Sequence, residues 1–170
     1  YFHKSIGGYH GAKLKRYQEL IENHISQGNP AVINMLNTKY VINKKGQAQQ
    51  NPAAMGNAWF VSNINIVENA DAEIAALKEL DVKNTAVVDE RFKDQLIADL
   101  SNENASISLM DYKPNYLKYK SNSTNDGIVI FSEIYYNKGW NAYIDGVLKP
   151  HFRANYVLRG LQIPKGNHII

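Results

Sequence analysis

The stretch from Gly127 to Ile170 reads GIVIFSEIYYNKGWNAYIDGVLKPHFRANYVLRGLQIPKGNHII. Short apolar and aromatic runs alternate in it with turn signals, namely Lys138-Gly139, Asp145-Gly146, Arg159-Gly160 and Lys165-Gly166. This spacing is typical of an antiparallel β-sandwich, in which short strands follow one another through tight turns. Asp145-Gly146 is the strongest hairpin signal, because a type I′ turn needs positive φ at both central residues.

A period of two residues extends upstream of this stretch and begins at Ser106. Ile107 and Leu109 alternate with serines, as expected for a strand with one buried face. Residues 128–134 carry apolar side chains on both faces, which indicates a central strand covered on both sides. The sequence therefore predicts a jelly-roll-like β-sandwich subdomain over residues 105–170, which strands from the first half could complete.

The one acidic residue of that central strand is Glu133. A buried carboxylate needs a cation nearby, with Arg153 or a lysine as candidates, or it becomes protonated. A structural ion pair is favoured over the role of a glycosidase acid, which needs a second carboxylate at a defined distance.

The pattern of residues 1–104, in which predicted strands and helices alternate, indicates a mixed α/β subdomain. The longest predicted helix is Ala12–Ser26, with its apolar stripe at Leu14, Tyr17, Ile21 and Ile25 and its end at Gly28. Asn29-Pro30 predicts an N-cap and a short helix to Leu36. Further helices are predicted at 71–80 and 92–100, and further strands at 58–61, 64–67 and 85–88. Together with the sandwich, the fold class is α+β.

Two neighbouring segments of this first half are predicted to differ in burial. Tyr40-Val41-Ile42 predicts a buried strand, because three apolar residues follow one another. Residues 43–57 are rich in Asn, Gln, Lys and Gly and have no periodicity, so they predict a mobile loop.

Composition excludes several classes of protein. The chain has 170 residues, a net charge of only +3 and no cysteine. The spread of both charges argues against a nucleic-acid-binding face, and the absence of cysteine excludes disulfides and thiolate metal sites. No apolar run approaches the ~20 residues that span a bilayer. Because the sequence starts at Tyr1 instead of Met and stops inside a predicted strand, we expect a fragment of a longer protein.

Motifs for catalysis or cofactor binding are weak. Gly7, Gly8 and Gly11 precede a helix, but a phosphate-binding loop also needs a preceding strand and a Lys-Ser/Thr pair. The five histidines form no zinc-binding pattern; they are His3, His10, His24, His151 and His168. We therefore predict no catalytic residue, no metal and no cofactor, and expect each histidine at the surface or satisfied in the core.

Aromatic residues are dense around the predicted hairpin. Packing in the sandwich core is the favoured interpretation, since alternating aromatic residues in strands normally pack. The alternative is a glycan-binding patch, in which rings stack on sugar faces and polar groups donate to hydroxyls. Its candidate residues are Trp140, Tyr143, Arg153 and Asn155.

Several segments, in order along nearly the whole chain, resemble the extracytoplasmic C-terminal region of YfhO-type bacterial membrane proteins. They are FHKSIGGYHGAKLKRYQELIENHI, NMLNTKYVI, GNAWFV, SEIYYNKGWNAYIDG and HFRANYVLRGLQIPKGNH. The resemblance implies a family similar to polytopic glycosyltransferases that use a lipid-phosphate-linked sugar outside the cell membrane. It places the catalytic carboxylate in loops among membrane helices, so no catalytic residue carries over to this chain.

Three functional hypotheses follow. The first is a non-catalytic extracytoplasmic domain, periplasmic or outer-surface, that packs on the transmembrane region of its own polypeptide, with a cell-envelope glycan acceptor as its candidate ligand. The second is a structural or protein-interaction domain, which predicts an exposed apolar patch and no aromatic groove. The third, given little weight, is a hydrolase with a carboxylate pair in a cleft.

Overall fold

The computed structural model describes residues 5–7, 13–96, 100 and 104–170. The α-helices are α1 (Lys15–Leu20), α2 (Pro30–Met35) and α3 (Ala70–Ala76), with a π-helical turn at Ile21–Ile25 and 3₁₀ helices at Leu77–Glu79 and Glu90–Gln95. The strands are β1 (Tyr40–Ile42), β2 (Ala48–Gln50), β3 (Ala58–Val61), β4 (Asn63–Val67), β5 (Thr85–Asp89), β6 (Ser106–Lys113), β7 (Tyr116–Ser123), β8 (Gly127–Ile134), β9 (Ala142–Ile144), β10 (Val147–Lys149), β11 (Phe152–Ala154), β12 (Leu158–Ile163) and β13 (Gly166–Ile169).

The predicted α+β class with sandwich-like sheets is confirmed. One antiparallel sheet has the order β11-β12-β8-β3, and a second has the order β13-β7-β6. Side chains from both sheets meet in one hydrophobic cluster, which includes Phe60, Tyr119 and Leu161. The finer comparison with a jelly roll stays a prediction.

Strand β8 is central and covered on both faces, as its sequence predicts. Ile128 and Ile130 belong to the cluster that the first sheet shares with the helices. Val129 and Phe131 belong to the cluster between the two sheets. Successive side chains of a strand point to opposite faces, so one strand contributes to both clusters.

Strand β3, from residues 1–104, completes the sheet that β8, β11 and β12 form in residues 105–170. Strand β3 pairs with β8 in antiparallel register, with Phe60 opposite Val129. The cluster beneath this sheet contains Leu20 and Leu77 from the first half and Phe152 from the second. Strands β4 and β5 form a separate parallel pair joined through α3. The division into domains 1–104 and 105–170 stays a prediction.

The first helix is confirmed between residues 15 and 25, and the predicted stripe is confirmed in part, because Tyr17 and Ile25 pack against the core cluster. Leu20 and His24 are buried, whereas Leu14 is exposed. The second half of the helix is a π-helical turn. Gly28 ends the helix with a φ of 71°.

The Asn29-Pro30 signal is confirmed as a helix start. The Asn29 side-chain oxygen accepts hydrogen bonds from the backbone N–H of Ala31, at 2.9 Å, and of Val32. The Asn29 amide donates to Nδ1 of His24, and Nε2 of that ring donates to the carbonyl oxygen of Ile74. His24 is therefore a satisfied core histidine.

The predictions for residues 40–57 are wrong in two respects. Residues Tyr40–Ile42 form a strand, but all three are exposed. The segment predicted as a loop contains β2, which pairs with β1 in an antiparallel hairpin. The reason is that apolar composition marks a strand without specifying a covering partner, and here the strand pairs only with its own hairpin neighbour within the described residues.

Two turn predictions have different outcomes. Asp145 and Gly146 have φ values of 50° and 81° and join β9 to β10, as predicted. Arg159-Gly160 is not a turn, because it lies inside β12. A Cβ atom on Gly160 would lie 2.3 Å from the Phe152 ring, so glycine is needed there for close packing.

The segment predicted as a helix over 92–100 is a 3₁₀ helix at Glu90–Gln95. The side chain of Asp89 accepts a hydrogen bond from the backbone N–H of Arg91 and so caps its start. Other predictions concern residues that lie outside the described part of the chain, namely 97–99, Ala12, Gly8, Gly11, His3 and His10.

Candidate functional site

The structure separates the four residues predicted to bind a glycan. Trp140 and Tyr143 line one cavity together. Arg153 and Asn155 are buried, and neither lines that cavity. The predicted glycan role of the four stays a prediction, and the contacts of each pair are described separately.

The cavity has a volume of about 480 Å³ and lies between β7, β12 and the segment that leads into the β9–β10 hairpin. Its aromatic lining includes Tyr116, Tyr119, Trp140 and Tyr143. Tyr116 is 49 % exposed and Tyr143 is 47 % exposed, so both rings are accessible from solvent. Trp140 is half-buried. The cavity is therefore a concave surface with accessible aromatic rings.

Arg159 gives the cavity a positive charge. Its guanidinium lies 4.5 Å from the centroid of the Trp140 ring, at cation–π distance. Burial lowers the pKa of Arg159, and the negative charge of Glu133 opposes that effect. An arginine stays protonated under these conditions, so a permanent cation lies against the tryptophan. Glu133 is half-buried, so the condition under which Arg153, a lysine or protonation was expected is not met.

Three buried polar atoms of the lining residues have no hydrogen-bond partner within the described protein. They are the hydroxyl of Tyr119, Nδ1 of His151 and Nε of Arg159. Buried polar groups normally have a partner, which is either protein or an ordered small molecule. All three atoms are buried, so a ligand in the cavity would reach them only after neighbouring side chains move.

The protonation state of His151 follows from its contacts. Its Nε2–H donates to the carbonyl oxygen of Trp140 at 3.1 Å, which leaves Nδ1 with a lone pair. Burial lowers the pKa of His151, and the charge of Arg159 lowers it further. Burial also raises the pKa of Tyr119. Both side chains are therefore neutral at pH 7, and Nδ1 of His151 is a hydrogen-bond acceptor without a partner in the described protein.

Arg153 belongs to a buried charge cluster on β11, the edge strand beside β5. Its Nη2 lies 3.3 Å from Oε2 of Glu73 and 3.5 Å from Oδ2 of Asp89. Arg16 approaches the same Oε2 of Glu73 at 3.0 Å, and the other oxygen of Glu73 accepts the N–H of Tyr156 at 3.0 Å. Glu73 is fully buried, so this cluster joins α1, α3 and β11 by charged contacts.

Asp89 shows how the cluster holds its charge. Burial alone would raise the pKa of the Asp89 carboxyl, but hydrogen bonds from Arg91 and the charges of Arg91 and Arg153 outweigh it and lower the pKa. Burial lowers the pKa of Arg153, and Glu73 opposes that effect. The carboxylates are engaged with arginines, which is the arrangement of a structural ion-pair network.

Asn155 connects the β11–β12 turn to β5. Its side-chain oxygen accepts the N–H of Val87 at 2.8 Å, and its backbone N–H donates to the carbonyl of Val87 at 2.8 Å. Asn155 and Tyr156 have φ values of 48° and 70°. Asparagine tolerates this left-handed conformation better than most residues, which explains its place in the turn.

Comparison with protein families identifies the chain. The family model described as bacterial membrane protein YfhO matches residues 17–170. The chain belongs to this family. The matched region includes the whole cavity lining and most of the charge cluster. No curated protein and no solved structure shows significant similarity to the chain.

The described residues contain neither a metal-binding cluster nor a membrane-spanning helix. In the ranges that the structure describes, no three His, Cys, Asp or Glu side chains lie close enough to hold a metal ion. No helix in those ranges has the length and hydrophobicity required to cross a membrane.

The sequence did not predict that Tyr116, Tyr119, His151 and Arg159 line the site. A signal was available for Arg159, because a cation inside the apolar strand run VLRGLQI needs a special environment. No comparable signal marks Tyr116, whose role depends on the packing of β7 against the hairpin.

Proposed function

We propose that this chain is a non-catalytic extracytoplasmic domain of a glycosyltransferase-like membrane protein and that its aromatic cavity holds a glycan acceptor. Membership of the YfhO family supports the membrane protein. The observation that carries the glycan proposal is the cavity in which Trp140 and Tyr143 lie beside Arg159.

The chemistry of the cavity suits a carbohydrate. A sugar ring has an apolar face, which packs on an aromatic ring, and a rim of hydroxyls, which need donors and acceptors. The exposed rings of Tyr116 and Tyr143 offer the first, and the side chains of Lys118 and Asn141, which also line the cavity, offer the second. The volume of about 480 Å³ falls within the range of small-molecule sites, about 300–1,000 Å³.

The buried carboxylates support a holding role over a hydrolytic one. Glu73 and Asp89 are buried and bound by Arg153, and they lie outside the cavity lining. A glycosidase needs two carboxyl groups on either side of the scissile bond. We place the transfer chemistry of the parent protein in its membrane part, as the resemblance implies.

Isothermal titration of the chain against a panel of cell-envelope glycans tests this proposal. We expect saturable binding that Tyr143→Ala and Trp140→Ala each weaken by about tenfold, because a lost aromatic contact of 1.4 kcal/mol corresponds to that factor. Tyr40→Ala is the control, because Tyr40 is also an exposed tyrosine, 62 % against 47 % for Tyr143, but lies outside the cavity lining. Absence of binding at millimolar glycan, or equal loss in all three variants, would contradict the proposal.

A second candidate function is a scaffold that packs on the transmembrane region of its own polypeptide. Exposed apolar residues on β1 favour it, because apolar patches mark contact surfaces. In that case the isolated chain binds no glycan, and its exposed hairpin determines how it sits in the parent protein.

A further inference from the structure

The β1–β2 hairpin, residues 39–51, stands apart from the two packed sheets. Among the described residues its strands pair only with each other, and every residue of both strands is exposed. Tyr40 is 62 % exposed and Ile42 is 72 % exposed. Exposure of large apolar side chains next to one another is uncommon unless the surface has a partner.

The register of the hairpin gives it one apolar face. Tyr40 lies opposite Gln50, and Ile42 lies opposite Ala48. Because directly opposite residues share a face and alternate residues do too, one side carries Tyr40, Ile42, Ala48 and Gln50. Val41 lies on the other side, opposite Gln49. The two faces of the hairpin therefore differ, and the face with Tyr40 and Ile42 is the more apolar one.

The tip of the hairpin is positively charged and well ordered by hydrogen bonds. Lys44 and Lys45 occupy the turn, and both are exposed. The Asn43 side-chain oxygen accepts the N–H of Lys45 at 2.9 Å and of Gln47 at 3.0 Å, and Gly46 has a φ of 76°. The turn thus holds two lysines at the far end of the apolar face.

The charge around the hairpin has a single sign. Lys39 precedes β1, and the sequence contains no aspartate or glutamate between Glu22 and Glu68. No neighbouring carboxylate of this segment neutralises Lys39, Lys44 and Lys45. Such a cluster is attracted to an anionic surface within about a Debye length, ~8 Å at physiological salt.

The root of the hairpin is attached firmly to α2. The Asn51 side-chain amide donates to the side-chain oxygen of Asn34 at 2.8 Å and to the carbonyl of Thr38 at 2.9 Å. The N–H of Asn51 also donates to the carbonyl of Lys39. These hydrogen bonds fix the hairpin relative to α2. A partner that binds the hairpin would therefore also orient the domain.

We propose that the β1–β2 hairpin binds the surface of an anionic lipid bilayer, with Tyr40 and Ile42 in the interface and the lysines against the headgroups. The chain belongs to a family of membrane proteins, so a bilayer lies within reach of it. Apolar and aromatic residues beside lysines are the combination that interfacial segments use. Contact there would orient the domain on the membrane, which is independent of what its cavity binds.

A second exposed hairpin provides the contrast. Val147 and Leu148 on β10 are also exposed. Its turn, however, carries Asp145, which is bound to His168 and to the N–H of Ile169. The second hairpin has one exposed lysine, Lys149, beside this carboxylate, whereas the β1–β2 hairpin has three lysines and no carboxylate, so charge favours the β1–β2 hairpin.

Co-sedimentation of the 170-residue chain with vesicles tests the proposal. Anionic phosphatidylglycerol vesicles are compared with neutral phosphatidylcholine vesicles, at low and at high salt. We expect binding to the anionic vesicles that high salt weakens. Lys44→Gln with Lys45→Gln should lower the partition coefficient about 25-fold, because one lysine near such a surface contributes about fivefold. Ile42→Ser should lower it at least about tenfold.

The matched control is Leu148→Ser, which removes an exposed leucine, 60 % against 72 % for Ile42, from the other hairpin and should leave vesicle binding unchanged. Circular dichroism checks that each variant is folded. Equal binding to both kinds of vesicle, no binding to either, or equal loss in Leu148→Ser overturns the proposal. A hairpin variant that changes only the oligomeric state of the chain also overturns it and assigns the surface to a second copy.

Discussion

Substitution of Glu73 by glutamine tests whether the buried charge cluster stabilises the fold. The change removes the charge that faces Arg153 at 3.3 Å and Arg16 at 3.0 Å. The neutral side chain still has an oxygen for the N–H of Tyr156. Arg153, which is only 8 % exposed, then has Asp89 at 3.5 Å as its remaining carboxylate partner.

The expected loss can be derived from these contacts. Removal of one partner of a buried ion pair costs about 3–5 kcal/mol, because it leaves an uncompensated buried charge. Asp89 compensates part of that charge, and the Arg16 contact is partly exposed and contributes little. We therefore expect the lower end, a loss of about 3 kcal/mol in the free energy of unfolding. That is a large share of the roughly 5–15 kcal/mol typical of a domain.

Urea unfolding followed by tryptophan fluorescence measures the loss, since Trp59 is buried in the core. Glu79→Gln is the control, because Glu79 is exposed at the end of the same helical segment. The double variant Glu73→Gln, Arg153→Met should lose less stability than the sum of the two single variants. The reason is that the second substitution removes the buried charge that the first leaves unpaired. A loss below about 1 kcal/mol for Glu73→Gln, equal to that of the control, would refute the reasoning.

Two further predictions concern packing and pH. Gly160→Ala should lower the free energy of unfolding by about 1–3 kcal/mol, since its Cβ would overlap the Phe152 ring, whereas Gly7→Ala, with open space around it, should change it little. The second prediction concerns His168, whose Nδ1–H donates a hydrogen bond to the Asp145 carboxylate, which raises the pKa of the imidazole. That contribution to stability is complete below the unfolded pKa of about 6.5 and is lost as pH rises through the higher folded pKa. NMR titration of His168 should give a midpoint above 6.5 that falls in Asp145→Asn; an unchanged midpoint would contradict the assignment.

Local signals in the sequence predicted local structure well. Asp145-Gly146, Gly28 and Asn29-Pro30 each acted through the φ angle or the hydrogen bonds of the residue itself. Such preferences hold wherever the segment lies in the fold, because they depend on neighbours in sequence. The period of two residues identified the strands of the sandwich for the same reason.

Burial was harder to predict where apolar residues had no obvious partner. Tyr40 and Ile42 were expected in the core and lie in an exposed hairpin. In the first helix Tyr17 and Ile25 pack against the core as predicted, but the buried residues are Leu20 and His24, and Leu14 is exposed. In both cases composition indicated the element, and the packing of distant segments determined which face was covered.

The candidate site shows the same limit. Trp140 and Tyr143 lie together because they are close in sequence and lead into one hairpin. Arg153 was expected beside them, but the cluster that holds it is formed by Glu73 and Asp89, which lie 80 and 64 residues away. A sequence pattern gives no distance between such residues, so it cannot distinguish a buried ion pair from a surface donor.

By itself the sequence determined the α+β class, the Asp145-Gly146 hairpin turn and a family membership that the family model confirms. Only the tertiary structure decided that Arg159 lies on Trp140, that Arg153 is buried with Glu73, and that the hairpin at residues 39–51 is exposed. The physical reason is that strand pairing and turns depend on local backbone preferences, whereas cavities, ion pairs and exposed surfaces depend on which distant segments pack together.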